Sequence, residues 1–431
     1  MKCLRVLSLV LTMCMVASAQ TPVAVAPAPP PLIVTGPEDP RLAPFDQLMT
    51  QFVTDHQVPG AQLAVARGGR LIYARGFGFA DVPAKEPVAP NAMFRIASVT
   101  KMFTSAAIMQ LVQEGKLKLD DPWYPIVGIH PLPGQRMDPR LTQITIAQLL
   151  QHRGGWDRDK SFDPMFRPVV IAKAIGIQPP ADQQAIIQYM LGVPLDFSPG
   201  DRMAYSNFGY CILGRVIERI SHQPYERYVQ RHVLSPLGIR HMELGRTLPR
   251  MRAPGEVKYY DGDAACVFPP NITRQVPAAY GGWNLEAMDS HGGWIASAPE
   301  LVRFAVSFDQ IDASPILSSL AIRQTFARPP GAAGFEPDGR GKPVWYGFGW
   351  SVRAVGPRGQ INTWHNGRLD GTSSLLVRRS DGLAWAVLFN AAVDQNKKAL
   401  SDLIDPLVHQ AADSVRDWPS GRRDLFPEML R

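Results

Sequence analysis

The chain has 431 residues, 45% of them hydrophobic and 19% charged, a balance that excludes a disordered or fibrous protein and allows one large core. Its formal net charge is +7 at pH 7, yet no block of Lys and Arg stands behind that excess, so a nucleic-acid partner is excluded. No spacing of Cys, His, Asp or Glu suggests a metal, and no cofactor is expected.

Residues 1–19 read as a secretory leader. Lys2 and Arg5 precede the apolar run Val6 to Val16, and Ala17-Ser18-Ala19 offers small residues for cleavage. That run is too short to span a membrane. A lipoprotein site at Cys14 is the weaker alternative, because the large Met13 precedes it. Residues 20–40, with Pro29-Pro30-Pro31, read as an extended spacer. The mature protein is therefore expected to be periplasmic or secreted. A disulfide between Cys211 and Cys266 is permitted there, but Cys211 lies in an apolar helical pattern that favours a buried thiol.

A first helix is expected over Leu42 to His56. Strands Gln62–Arg67 and Arg70–Phe79 follow, joined at Gly68-Gly69. Beyond Ser98, the residues Met102, Phe103, Ala106, Ala107, Leu111 and Val112 recur at the spacing of an amphipathic helix ending near Gly115. The stretch from Thr145 to about Ile239 reads as mostly helical, with a loop from Gly154 to Pro168. Its clearest helices are Ile146–His152, Asp182–Leu191, Phe208–Ile220 and Tyr225–Val233. An irregular stretch, Pro249–Gly282, precedes a helix at Pro299–Phe308. Strand-like runs close the pattern at Gly347–Ala354, at Thr363–Arg379 broken by Gly367 and Gly371, and at Ala384–Asn390. A helix over Lys397 to Val415 and a polar tail, 416–431, complete it.

With strands at both ends and helices between, the expected fold is α/β (α+β). One antiparallel sheet takes the N- and C-terminal strands, helices back it, and the middle forms a mostly helical lobe, all within 41–415. A cleft between the two is the natural place for a site.

Ser98 and Lys101 are three residues apart at the start of a helical pattern, so they share a face. A serine hydroxyl needs a base to become a nucleophile, and a buried lysine can serve as one. The four-residue pattern alone arises by chance roughly once or twice in a chain this long. Tyr205-Ser206-Asn207 follows Pro199-Gly200 and precedes a helix. Its phenol can exchange a proton with a lysine and its amide can fix an amine. His365-Asn366-Gly367 opens a strand whose edge can hold a substrate by backbone pairing. His365 supplies a polar or positive head there, and Gly367 permits a close approach.

An S-x-x-K, a Y-x-N loop and a basic-x-Gly strand, in that order, form the pattern of penicillin-recognising serine enzymes. From Phe45 to His409 the chain resembles the class C β-lactamase-like serine hydrolases. These comprise class C β-lactamases, D-alanyl-D-alanine carboxypeptidases, D-aminopeptidases and family VIII carboxylesterases. Further support comes from Leu119-Asp120-Asp121-Pro122, Phe197-Ser198-Pro199-Gly200, Gly292-Gly293-Trp294 and Tyr346-Gly347-Phe348-Gly349-Trp350.

The resemblance implies that Ser98 is acylated, that Lys101 is its proton partner, and that Tyr205 is a general base that then protonates the leaving group. It implies substrate contacts from Asn207, His365 and Gly367, and an oxyanion hole from the backbone N–H groups of Ser98 and Arg368. Two departures stand out. His365 replaces the lysine usual in class C β-lactamases, which favours a D-peptidase or esterase. His152-Arg153-Gly154-Gly155-Trp156 replaces the usual His-Thr-Ser-Gly-Leu, and a charged loop follows it. In this region Arg153, Arg158 and Arg167 either meet a substrate carboxylate or pair with Asp157, Asp159 and Asp163; the expectation is the second.

The expected activity is thus hydrolysis of an amide or ester bond, in a D-amino-acid peptide, an ester or a β-lactam, through acyl-Ser98. The partner is a small-molecule or peptide substrate of the peptidoglycan type. A retired fold serving as an envelope-binding module is the alternative. Retention of Ser98, Lys101 and Tyr205 together argues against it.

Overall fold

The computed structural model of the chain describes residues 32–431 apart from 358, 420 and 422. The expected leader and most of the spacer lie outside the described residues. The rest of the spacer does not stay free, because Val34–Thr35 (β1) already joins the main sheet.

Helix α1, Ala43–Asp55, leads into the hairpin of β2, Gly60–Arg67, and β3, Arg70–Asp81. Gly68 and Gly69 turn it with φ of 56° and 77°, the left-handed region that a two-residue hairpin requires. Glu86–Pro87 (β4) pairs with β3. The remaining strands come from the other end of the chain: β5, Val344–Tyr346; β6, Ser351–Ala354; β7, Ile361–Leu369; β8, Thr372–Arg378; β9, Leu383–Phe389. The spatial order is β1-β3-β2-β9-β8-β7-β6-β5, and every neighbouring pair is antiparallel. The two ends of the sequence therefore meet at β2 and β9, in the middle of the sheet.

The sheet's two faces are chemically unequal. Leu63, Val65, Leu375, Val377, Trp385, Val387 and Phe389 point to the face covered by α1 and the C-terminal helix Leu400–Ser414. Their alternates Ala64, Ala66, Ala384 and Ala386 point to the other face, where helix Ala298–Val306 packs. Small residues at period two let that helix backbone come close, while the large set fills the opposite layer.

The helix after Ser98 differs from expectation. Helix α2, Thr100–Gln113, is buried at every position from Thr100 to Leu111, so it is enclosed rather than amphipathic. It is surrounded by helix α3, Asn207–Ser221, and the short helices Tyr225–Val229 and Ser319–Thr325. Its polar residues are paired: Thr104 donates to the Ser290 carbonyl at 2.6 Å, and Ser105 meets the Tyr210 hydroxyl at 3.1 Å.

Three further expectations are corrected. Of the run at Gly347–Ala354 only Ser351–Ala354 (β6) is strand, residues 347–350 forming the turn from β5, and Gly367 lies inside β7, so only Asp370-Gly371 breaks the following run. The last residues are not merely polar. Leu425, Phe426 and Met429 are buried against the core, and the Leu425 N–H reaches the Leu71 carbonyl at 2.8 Å. Apolar residues four apart dock this segment as a single helical turn, Phe426–Met429. Cys211 and Cys266 are both free and buried. Among the described residues, no helix is long and apolar enough to cross a membrane.

Trp385 is fully buried in the layer beneath α1. Trp385→Ala is expected to cost about 3–5 kcal/mol of unfolding free energy in a urea titration. A loss under about 1 kcal/mol would contradict the packing described.

Candidate active site

The site begins with how the chain reaches Ser98. Arg95 is buried, its guanidinium 4.4 Å from the centre of the Tyr259 ring, and donates to the carbonyls of Ala279 at 2.6 Å and Arg246 at 2.7 Å. The carbonyls of Arg95 and Ile96 are held from the sheet: Thr372 Oγ1 donates to the first and Ser374 Oγ to the second, each at 2.7 Å. Ala97 then turns the chain with φ of 46°, unusual for a residue with a side chain. Ser98 follows in a single 3-10 turn, Ala97–Val99, ahead of α2. Strain at one residue is thus absorbed by contacts that fix its neighbours.

The close approach expected at Gly367 is present. A Cβ there would lie 2.4 Å from the Ile96 carbonyl oxygen and 2.9 Å from the Ser98 nitrogen. Only a glycine lets β7 lie against the turn that carries Ser98. Strand β6 accompanies β7 only as far as Trp364. From His365 to Leu369 the outer edge of β7 therefore has no strand partner, and it lies beside that turn.

Lys101 has no exposed surface. Its Nζ lies 3.1 Å from Ser98 Oγ, 2.8 Å from Asn207 Oδ1 and 2.8 Å from the His291 carbonyl oxygen. Burial drives its pKa well below the usual lysine range, Arg158 adds to this, and Asp163 opposes it. An uncharged amine has two N–H bonds and one lone pair. Here two fixed acceptors, Asn207 Oδ1 and the His291 carbonyl, take the N–H bonds, which leaves the lone pair to face the Ser98 hydroxyl.

Tyr205 is brought to the same place. Its ring centre lies 4.9 Å from Lys101 Nζ and 4.9 Å from the Arg158 guanidinium. Its hydroxyl is buried and lacks a partner at hydrogen-bond geometry among the described residues, although the Ser98 hydroxyl is close enough to favour its ionised form. Burial dominates and raises the phenol's pKa, with Ser98 and Arg158 pulling the other way. In the resting site Tyr205 therefore keeps its proton.

His365 is also nearby, its ring centre 6.3 Å from that of Tyr205. Of the polar or positive head expected from the sequence, it is the polar one. The Asn366 carbonyl can only accept, so His365 Nδ1 donates to it at 2.6 Å, and the Tyr346 hydroxyl then donates to Nε2 at 2.9 Å. Burial, reinforced by Lys101, lowers its pKa to about 3. His365 is thus a neutral ring with both nitrogens occupied.

The arginines also depart from expectation. Asp157 pairs with Arg202 at 2.7 Å, and Arg153 donates to the Gly200 carbonyl at 2.7 Å. Arg167 lies over the Phe162 ring and Arg158 over Tyr205. Asp163 turns inward instead and accepts from Asn207 Nδ2 at 2.7 Å. The loop residues found their partners by shape, which a count of charges does not reveal.

A cavity of about 530 Å³ opens over these groups, lined by Ser98, Asn207, Arg158, Gly292, Arg368 and Asp370, among others. Asp163, Tyr346 and the His291 carbonyl were not singled out for the site in the sequence. His152 packs its ring 4.2 Å from that of Tyr205 and accepts from the Ser206 N–H. Only its place at the head of His152-Arg153-Gly154-Gly155-Trp156 marked it.

The Beta-lactamase family model matches residues 45–408. A putative D-alanyl-D-alanine carboxypeptidase of Escherichia coli O157:H7 is 30% identical over 54% of this chain and 54% of its own length. Protein flp of Staphylococcus aureus is 30% identical over 47% of this chain and 38% of its own. The chain thus spans about half, or less, of the curated relatives' length. The crystal structure of SurE with D-Leu superposes with a TM-score of 0.58 at 28% identity, covering 89% of this chain and 77% of that one. The D-amino acid amidase of Ochrobactrum anthropi SV3 superposes with a TM-score of 0.62 at 22% identity, covering 86% and 98%, and so attests the fold.

Gly367→Ala pushes a methyl group into the Ser98 turn. It is expected to slow covalent labelling of Ser98 by about 100-fold or more, since misplacement of about 1 Å costs that much. Labelling by a fluorophosphonate at the unmodified protein's rate would show that the turn tolerates the contact.

Proposed function

Because this chain belongs to the Beta-lactamase family, a family of serine hydrolases, we propose that it hydrolyses amide or ester bonds through an acyl-Ser98 intermediate. The observation that carries the proposal is the wholly buried amine of Lys101 at 3.1 Å from the Ser98 hydroxyl, with its other bonds taken by fixed acceptors.

Lys101, uncharged, takes the Ser98 proton as Oγ attacks the carbonyl carbon. The negative charge on the carbonyl oxygen is met by the backbone N–H groups of Ser98 and Arg368, a pair that typically contributes about 3 kcal/mol per donor. As the bond to the leaving nitrogen or oxygen breaks, Tyr205 gives that atom its phenolic proton. The Lys101 ammonium, beside the Tyr205 ring, then returns a proton to the phenol. The net result is one proton moved from Ser98 to the leaving group, with Lys101 and Tyr205 back in their starting states; water then attacks the acyl-Ser98 ester, the acid leaves, and Ser98 Oγ regains a proton. Of the two roles expected from the resemblance, a general base that then protonates the leaving group, Tyr205 takes the second here, because burial keeps its phenol protonated.

The free edge of β7 holds the substrate backbone, with Asn207 and Arg368 lining the cavity. We infer an amide or peptide of a D-amino acid, or a short ester, in preference to a β-lactam. The neutral His365 supports this, since it brings no cation to the position where class C β-lactamases carry lysine. The putative D-alanyl-D-alanine carboxypeptidase among the similar proteins points the same way. Export by the Met1–Ala19 leader and action outside the cytoplasm form part of the proposal.

Ser98→Ala is expected to abolish labelling by fluorescent penicillin and fluorophosphonate while leaving the melting temperature in place. Lys101→Ala and Tyr205→Phe are each expected to slow hydrolysis of a p-nitrophenyl ester by about 10²–10⁴. Undiminished labelling of the Ser98→Ala protein, or full turnover by the Lys101→Ala protein, would refute the acyl-serine reading. The rate is expected to rise with pH as Lys101 loses its proton, with this limb well below the ordinary lysine range. A panel of D-Ala-D-Ala peptide, D-amino acid amide, nitrocefin and short ester tests the substrate class; nitrocefin hydrolysed faster than the others would overturn the preference stated.

A further inference from the structure

The loop from Asp157 to Arg167 carries more charge than its surface pairings use, and one of its carboxylates turns away from solvent. Asp163 Oδ2 accepts from Asn207 Nδ2 at 2.7 Å, and Asp163 Oδ1 accepts from the Met165 N–H at 3.1 Å. Both carboxylate oxygens thus face N–H donors, an arrangement suited to the ionised form. The other end of the same amide, Asn207 Oδ1, faces Lys101 Nζ at 2.8 Å.

We propose that Asp163 is a positioning residue that locks the Asn207 amide with its oxygen toward Lys101, so that the lysine lone pair is reserved for Ser98. This inference rests on the acyl-serine reading above.

An asparagine amide has nearly the same shape when turned over, so shape alone does not choose its orientation. Two partners choose it here. Turned over, Asn207 would set its oxygen against the Asp163 carboxylate, bringing two acceptors together. Its N–H would then point at Nζ and consume the lone pair that must take the Ser98 proton. A flipped amide would therefore leave the nucleophile present and its base blocked. An apolar residue at 163 removes the discrimination against that state. An asparagine there can still present an oxygen to Asn207 Nδ2.

The groups that bear on the titration are few. Ser98, Asn207, the His291 carbonyl, the rings of Tyr205 and Tyr210, Arg158 and Asp163 surround Lys101. His152, His291 and His365 lie within its field and are held neutral by burial. Burial raises the pKa of Asp163, and Asn207, the Met165 N–H, Arg158 and Lys101 work against it in favour of the carboxylate. Its charge favours protonated Lys101, so removing it shifts the rising limb of the rate to lower pH, whatever happens to geometry.

The full-length chain and its variants are compared by the second-order rate of fluorophosphonate labelling at Ser98 across pH, with melting temperature measured alongside. Asp163→Asn is expected to move the limb to lower pH and keep the plateau rate within about fivefold, the scale of exchanging a charge-assisted hydrogen bond for a neutral one. Asp163→Ala is expected to move the limb likewise but to lower the plateau by up to about 100-fold. In an Asn207→Ala background, Asp163→Ala is expected to add little further loss, because it acts through that amide. Asp163→Leu carries the same test if the alanine variant fails to fold. A plateau in Asp163→Ala equal to that of the unmodified protein, equal losses in the Asn and Ala variants, or fully additive losses with Asn207→Ala would each overturn the inference. Those results leave the acyl-serine reading standing. That reading fails if labelling survives Ser98→Ala or full turnover survives Lys101→Ala.

Discussion

An amine inside a protein is unstable as a cation unless something answers its charge. Lys101 has no exposed surface, and the nearest carboxylate reaches it only through the Asn207 amide. Burial therefore favours the uncharged form, and the uncharged form is the one that can accept a proton from serine. Much of the architecture can be read as meeting this condition. Helix α2 is enclosed on every side so that its first turn stays dry. Arg158 lies over Tyr205, close enough to disfavour a second positive charge. The acceptors around Nζ are a backbone carbonyl and an amide oxygen, which stabilise an amine without inviting it to ionise.

Geometry at Ser98 depends on a different part of the molecule. The turn that exposes it is anchored on one side by Arg95, buried among Tyr259, Tyr280 and Trp283, and on the other by two hydroxyls of β8. Gly367 of β7 closes the arrangement from below. Sheet and helical lobe thus hold opposite sides of one short turn. The cavity lies where they meet, which fits the expectation that sites form between packed layers.

The sequence showed the main elements because their signals are local. Gly68-Gly69 marked a hairpin, the apolar spacing after Ser98 marked a helix, and strand-like runs stood at both ends of the chain. Ser98, Lys101, Tyr205 and Asn207 were legible because their types and spacing are chemically unusual together, and the structure gathers them around one hydroxyl. What stayed hidden depends on three dimensions. Period and hydrophobicity cannot tell whether a helix such as α2 is half-covered or enclosed. The neutrality of His365 comes from Tyr346 and from its own neighbour's carbonyl, neither of which a lone histidine announces. Asp163 looked like one more surface acid, because nothing in the chain says that its loop folds inward. The docked residues at 425–429 were missed because three scattered apolar residues do not stand out in a polar stretch.

The seam between β2 and β9 carries a consequence in time. The serine, its base and the phenol are all translated well before the strand that completes the middle of the sheet. Pairings so distant in sequence form slowly and late. Until residues 361–389 emerge, the turn at Ser98 has neither its hydroxyl anchors nor the strand edge against which a substrate would lie. A nascent chain therefore holds Ser98, Lys101 and Tyr205 without the framework that fixes them, and the site is completed only at the end of synthesis.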